Sequence, residues 1–134
     1  DGGLWTVTHI GGVIIGHDVE IQQSTTVDKA IYPWDNTILG DYDKINSQVQ
    51  IAHGVKIGEN TEVVSNVGIQ GRVKIGKNVW IGPNSVIRNG MSIGDNARVN
   101  MGAAVTLSVP DGCAVSGNFA RPHETMIEEM KKYK

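Results

Sequence analysis

The chain has 134 residues, 40% of them hydrophobic and 19% charged, a composition that describes one folded domain rather than a disordered segment. A formal charge of −2, with the only basic run at Lys131, Lys132 and Lys134, offers no electrostatic footprint for nucleic acid. No apolar run approaches the ~18 residues of a membrane span, no secretory leader is visible, and the lone Cys113 rules out an intramolecular disulfide and fits a reducing, cytoplasmic setting.

Seventeen glycines, few aromatics and a steady supply of Val and Ile point to β-structure with many tight turns. Taking every sixth residue from 15 gives Ile15, Ile21, Val27, Pro33, Leu39, Ile45, Ile51, Ile57, Val63, Ile69, Ile75, Ile81, Ile87, Ile93, Val99 and Val105. Fifteen of these sixteen positions are aliphatic, so the chain has a six-residue repeat. A second series stands two residues earlier and is small or β-branched, as at Val49, Val55, Thr61, Val67, Val73 and Val79. A spacing of two is strand alternation and puts both series on one face. Gly often follows the large aliphatic, and Asp18, Asn60, Asn66, Asn78, Asn84 and Asn96 come two residues later, types that tolerate a left-handed backbone. Each unit is a short strand followed by a sharp corner. Such strands cannot bury an apolar face alone, so the units must stack into a parallel β-solenoid.

The solenoid is expected over residues 1–117. Residues 28–37 interrupt it, where Pro33 takes an aliphatic slot and Tyr32 and Trp34 add bulk, and they read as a loop extruded from the coil, either a tolerated surface insertion or, since solenoid insertions often map to the binding face, a functional element. After Val109-Pro110-Asp-Gly112 the repeat fades, and 118–134 reads as a C-terminal extension with a short α-helix. Pro122 suits its first turn, early Glu and late Lys residues suit its dipole, and Met126, Met130 and Tyr133 form a stripe suited to capping the solenoid's open end.

The segments Ser24-Thr-Thr-Val-Asp28, Gln48-Val-Gln-Ile-Ala-His53, Val67-Gly-Ile-Gln-Gly71 and Lys74-Ile-Gly-Lys-Asn78, with Asp1-Gly-Gly-Leu-Trp5 and Val115-Ser-Gly-Asn-Phe-Ala-Arg-Pro-His123, carry a resemblance across essentially the whole chain. They resemble the UDP-3-O-acylglucosamine N-acyltransferases of lipid A biosynthesis. That resemblance implies an all-β, single-stranded left-handed parallel β-helix with eighteen residues per coil; general crossover statistics alone would favour the right hand. It also implies a homotrimer with sites in clefts between neighbouring solenoids. The implied donor is an acyl group on the phosphopantetheine of acyl carrier protein, and the acceptor is the amine of a UDP-linked glucosamine. No tightly bound cofactor and no metal ligand are expected.

With eighteen residues per coil, His53, Gly71 and Asn89 stack in one column, about 4.8 Å apart, and Asp35 and His17 extend it below if the loop keeps register. Carried over from the family, His53 is the general base and the backbone N–H of Gly71 the oxyanion donor. Substrate contacts are expected from Trp34, Asp35, Ser47, Gln50 and Asn89. The chain departs from the family in a longer loop between Val27 and Leu39, in Gly54 where a polar residue is common, in Ser47 for an expected Asn, and in Gly90 where some members have a second His. The family's N-terminal uridine-binding domain is not part of this sequence. Two other readings fit the repeat: a nucleotide-sugar N-acetyltransferase using acetyl-CoA, and a non-catalytic structural solenoid. A zinc enzyme of the γ-carbonic anhydrase type needs three converging His ligands, which His9, His17, His53 and His123 do not supply by their spacing.

Overall fold

The computed structural model describes residues 2–133. After an N-terminal segment without strands, the described residues form sixteen strands of two or three residues each, then one helix. They begin with β1 (Val13–Ile15), β2 (Glu20–Ile21), β3 (Thr26–Val27), β4 (Thr37–Leu39), β5 (Lys44–Ile45) and β6 (Gln50–Ile51). The middle holds β7 (Lys56–Ile57), β8 (Glu62–Val63), β9 (Gly68–Ile69), β10 (Lys74–Ile75) and β11 (Trp80–Ile81). Then follow β12 (Val86–Ile87), β13 (Ser92–Ile93), β14 (Arg98–Val99), β15 (Ala104–Val105), β16 (Ala114–Val115) and α1 (His123–Lys131).

Every third strand joins the same parallel sheet. One sheet runs β1-β4-β7-β10-β13, the second β2-β5-β8-β11-β14-β16, and the third β3-β6-β9-β12-β15. Three strands therefore make one coil. In the body the register is eighteen residues: Lys56 pairs with Lys74 and Lys74 with Ser92. Across the loop it is twenty-four, since Val13 pairs with Thr37 and Thr26 with Gln50. At the C-terminal end it falls to sixteen, with Arg98 opposite Ala114.

The corners explain why the period is six. Asp18, Asn60, Asn66, Asn78, Asn84 and Asn96 all have φ between 55° and 60°, as their residue types suggest. Ser24, Tyr42, Gln48 and Arg72 adopt the same conformation in the same slot, as do Gly54, Gly90 and Gly102. The glycine that precedes some of these corners has a steric reason. A Cβ on Gly76 would lie 2.2 Å from Asp95 Oδ1, and that oxygen accepts the Lys77 N–H at 2.9 Å. The missing side chain leaves room for a carboxylate from the next coil to cap a corner amide.

Inside, the large series forms unbroken ladders. Leu39, Ile57, Ile75 and Ile93 line one wall, Ile45, Val63, Ile81 and Val99 the second, and Ile51, Ile69, Ile87 and Val105 the third, all buried. The smaller series is buried too, and where it turns polar the side chain bonds corner backbone. Thr37 Oγ1 donates to Asp28 O at 2.7 Å and accepts the Gly54 N–H at 2.9 Å. Asp43 accepts the N–H groups of Gly40 at 2.8 Å and Thr61 at 2.9 Å. Among the described residues no coil lies beneath the first, and Ile15 and Ile21 occupy core slots yet are exposed. The helix does not take the capping role expected of it: none of its residues is buried, and Met130 and Tyr133 face solvent. Nine residues offer too little apolar stripe to hold it against the last coil.

Two stability outcomes follow. Burial of Asp43 pushes its carboxyl from 3.8 up to about 6, against the pull of the Thr61 and Gly40 N–H groups and helped by Asp41 and Glu59. A pKa raised in the folded state gives stability that is complete below the unfolded value and disappears as pH climbs through about 6, here up to about 3 kcal/mol. Urea unfolding of wild type between pH 4 and 7 should show this slope, and Asp43→Asn should lack it. At the exposed corner residue Tyr42, Tyr42→Asn should raise stability by about 0.5–1 kcal/mol in thermal melts, because Asn meets less resistance at positive φ.

Candidate active site

At the corner between the third sheet and the first, side chains from stacked coils open a cleft of about 750 Å³. The column formed by His53, Gly71 and Asn89 lines it. The next residue in each coil, Gly54, Arg72 or Gly90, is the left-handed corner residue, with φ of 69°, 59° and 74°. Lys56 and Lys74, the leading residues of β7 and β10, and Gln70, which follows β9, complete the wall, with Asp35 reaching in from the loop.

His53 sits in the turn between β6 and β7, and its carbonyl accepts the Arg72 N–H at 2.9 Å, which fixes the two coils at this corner. Gly71 is close to a steric requirement: a Cβ there would lie 2.5 Å from both Cε1 and Nε2 of His53. The imidazole therefore packs on the backbone of the coil above, in the space a side chain would fill. The Gly71 carbonyl accepts the Gly90 N–H at 3.0 Å, whereas its own N–H donates no hydrogen bond among the described residues. The ring of His9, from the N-terminal segment, approaches the ring of His53 edge-on, with centroids 5.8 Å apart at 68°.

Asp35 enters by a route other than the one its spacing suggests. The inserted loop makes the register twenty-four residues, so Val27 lies beneath Ile51 and the coil position beneath His53 belongs to Lys29. Asp35 reaches the cleft because the loop folds back. Its carboxylate takes Lys56 Nζ at 3.1 Å and Arg72 Nε at 3.1 Å. The Lys56 hydrogen bond, opposed by burial and helped by the charges of Lys56, Arg72 and Lys74, holds the Asp35 carboxyl below its ordinary value. Lys56 also donates to Asn36 O and Gly54 O, tying the loop to the coil. Gly54 leaves space for this, since a Cβ on it would meet Asp35 Oδ2 at 3.0 Å and Arg72 Cγ at 3.1 Å.

The same shift of register moves His17 out of the column. It stacks below Asp41 at another corner, its N–H donating to Asp41 Oδ1 at 2.8 Å. Of the expected substrate-contacting residues, Asp35 and Asn89 share the cleft with His53 and Gly71, whereas Ser47, Gln50 and Trp34 do not line it. Ser47 lies at the corner before β6, where its carbonyl accepts the Asn66 N–H. Gln50 points outward from β6 and is exposed. Trp34 is 80% exposed and stacks on Tyr32, with centroids 5.0 Å apart and planes 8° from parallel. Sequence reasoning missed the cations. Lys56 and Lys74 stand eighteen apart, and Arg72 follows Gly71, so the coil period that found His53 also marks them. His9 precedes the repeat and carries no such signal. Among the described residues no three His, Cys, Asp or Glu side chains converge on a metal-sized point, and no helix is long and apolar enough to cross a membrane.

Known proteins share the repeat, the sequence and the fold. The hexapeptide repeat of succinyl-transferase matches residues 72–106. UDP-3-O-acylglucosamine N-acyltransferase 2 of Legionella pneumophila is 44% identical over 59 residues, covering 44% of this chain and 17% of that protein. The UDP-3-O-acylglucosamine N-acyltransferase of Pseudomonas fluorescens is 43% identical over 60 residues, 44% of this chain and 16% of its own length. The matched part is thus a small share of those relatives. Among solved structures, the Arabidopsis UDP-N-acetylglucosamine acyltransferase superposes with a TM-score of 0.79 at 26% identity, over 92% of this chain and 43% of that one. LpxA from Acinetobacter baumannii gives 0.73 at 24% identity over 92% of this chain and 54% of its own, a likeness of fold. Superposition preserves hand, and these neighbours are left-handed β-helices. Repeat, register and superposition together make the chain a hexapeptide-repeat left-handed β-helix, similar in sequence to the UDP-3-O-acylglucosamine N-acyltransferases.

Proposed function

We propose that the cleft carries out N-acyl transfer from a phosphopantetheine-linked acyl thioester, on acyl carrier protein or CoA, to the amine of a UDP-3-O-acylglucosamine-type sugar nucleotide. The observation that carries this reading is the imidazole of His53 lying in an open cleft against the backbone of Gly71. The sequence similarity to N-acyltransferases supplies the reaction class.

In this reading the amine nitrogen attacks the thioester carbonyl while His53 takes the amine proton, a contribution of roughly 10²–10⁴-fold. The new C–N bond leaves a tetrahedral oxyanion, to which the Gly71 N–H donates. A fixed donor of this kind contributes roughly 10²–10³-fold. Collapse breaks the C–S bond, and protonated His53 returns the proton to the departing thiolate. Asn89, one coil above Gly71, is placed to hydrogen-bond substrate in the same cleft. Three cations and one carboxylate leave the cleft with an excess of positive charge, which favours the phosphates that both donor and acceptor carry. A cytoplasmic homotrimer with this cleft facing a neighbouring solenoid completes the proposal, and a single-chain mass in light scattering would argue against that assembly.

The decisive assay pairs acyl carrier protein and CoA thioesters with UDP-sugar amines, using this chain and any longer natural form. His53→Ala should lower kcat by roughly 10²-fold or more with the fold intact; a folded variant with full transfer would sink the general-base role. Gly71→Ala should lose a comparable factor. Its φ is not in the left-handed region, so the loss would come from the methyl displacing the His53 ring, and a crystal structure of the variant would show that displacement.

A further inference from the structure

We infer that His9 is a positioning residue that holds the His53 imidazole in its working orientation. The inference rests on the acyl-transfer reading for its kinetic part and on geometry for the rest. A general-base histidine is commonly aimed by a third group that bonds its second ring nitrogen. Here that device is missing: neither ring nitrogen of His53 has a hydrogen-bond partner among the described residues. The carboxylate in the cleft, Asp35, is engaged by Lys56 and Arg72 instead. The ring must therefore be oriented by packing. One contact is the Gly71 backbone, and the other is the edge-on ring of His9 at 5.8 Å.

His9 is itself held. Its Nδ1 is 3.1 Å from the carbonyl of Val7, which orients the ring by accepting a hydrogen bond from Nδ1–H. The segment that carries it is pinned to the loop: Ile10 N–H donates to Ile31 O at 3.0 Å, Gly11 N–H to Ala30 O at 2.9 Å, and Gly12 N–H to Asn36 Oδ1 at 2.8 Å. Ala30 is fully buried, so the support is anchored in the structure rather than frayed. Edge-to-face aromatic pairs prefer this separation and need only an aromatic ring, not an imidazole.

That last point gives the test. In the full chain, His9→Ala should lower kcat roughly 10-fold while KM changes less than about twofold, since misaimed catalytic groups cost rate more than binding. His9→Phe, which keeps the ring and loses both nitrogens, should restore most of that rate, and His9→Gln should not. Thermal midpoints within a few degrees of wild type would show that each variant folds. A crystal structure of His9→Ala should show the His53 side chain rotated or split between rotamers. An unmoved, single His53 ring in that structure overturns the inference whatever the activity. If wild type transfers no acyl group while His53 is released in His9→Ala, the positioning role stands and the acyl-transfer reading falls.

Discussion

Backbone hydrogen bonding between successive coils, eighteen residues apart, is the constraint on which the rest of this molecule depends. A strand of two residues has no stability of its own, so each must find the same partner geometry above and below. That demand repeats at every corner. A left-handed residue every sixth position turns the chain, even where the occupant is Tyr42, Gln48 or Arg72 and the conformation is unfavourable for the residue type. Side chains then complete what the backbone leaves open: Asp41, Asp95 and Asp111 each accept a corner N–H from the coil below. Glycines at 16, 76 and 94 stand where any Cβ would strike those carboxylates. Hydrophobic ladders fill the interior, but they follow from the register.

The cleft is a direct product of that stacking. Corner residues of adjacent coils are held one above another at strand spacing, so a function needing a base beside a backbone donor can be written into two residues eighteen apart. His53 and Gly71 stand at that spacing, and their fit is steric, because the imidazole occupies the volume of the missing side chain. The same logic brings Lys56 and Lys74 together and sets Gly54, Arg72 and Gly90 in line.

What could be seen in the sequence divides along the same boundary. The repeat, the inward series, the left-handed corners held by Asp or Asn and the His53–Gly71–Asn89 column are properties of position in the repeat, and periodicity exposes them. It fails wherever the chain leaves the coil. The loop shifts the first coil by six residues relative to the second, which sends His17 to another corner and puts Lys29 rather than Asp35 beneath His53. Asp35 reaches the cleft all the same, drawn by two cations that spacing alone could not assign to it. Trp34 turns away onto Tyr32, a local aromatic contact that competes with any role inside the cleft. The C-terminal helix has the expected composition and lacks the expected seat, because an amphipathic stripe specifies a partner surface only when one is within reach.

The two aperiodic segments nonetheless converge on one residue. The N-terminal stretch delivers the His9 ring to His53, and the loop delivers Asp35 to the Gly54–Arg72 corner beside it. Because the two segments bond to each other through Ile10, Gly11 and Gly12, they form one unit laid against the periodic body. A solenoid can present its corners but cannot adjust one of them without breaking register for the coils on either side. Fine control over a single histidine must then come from outside the repeat. In this chain the N-terminal segment sets the His9 ring against His53, and its hydrogen bonds to the loop hold that segment in place.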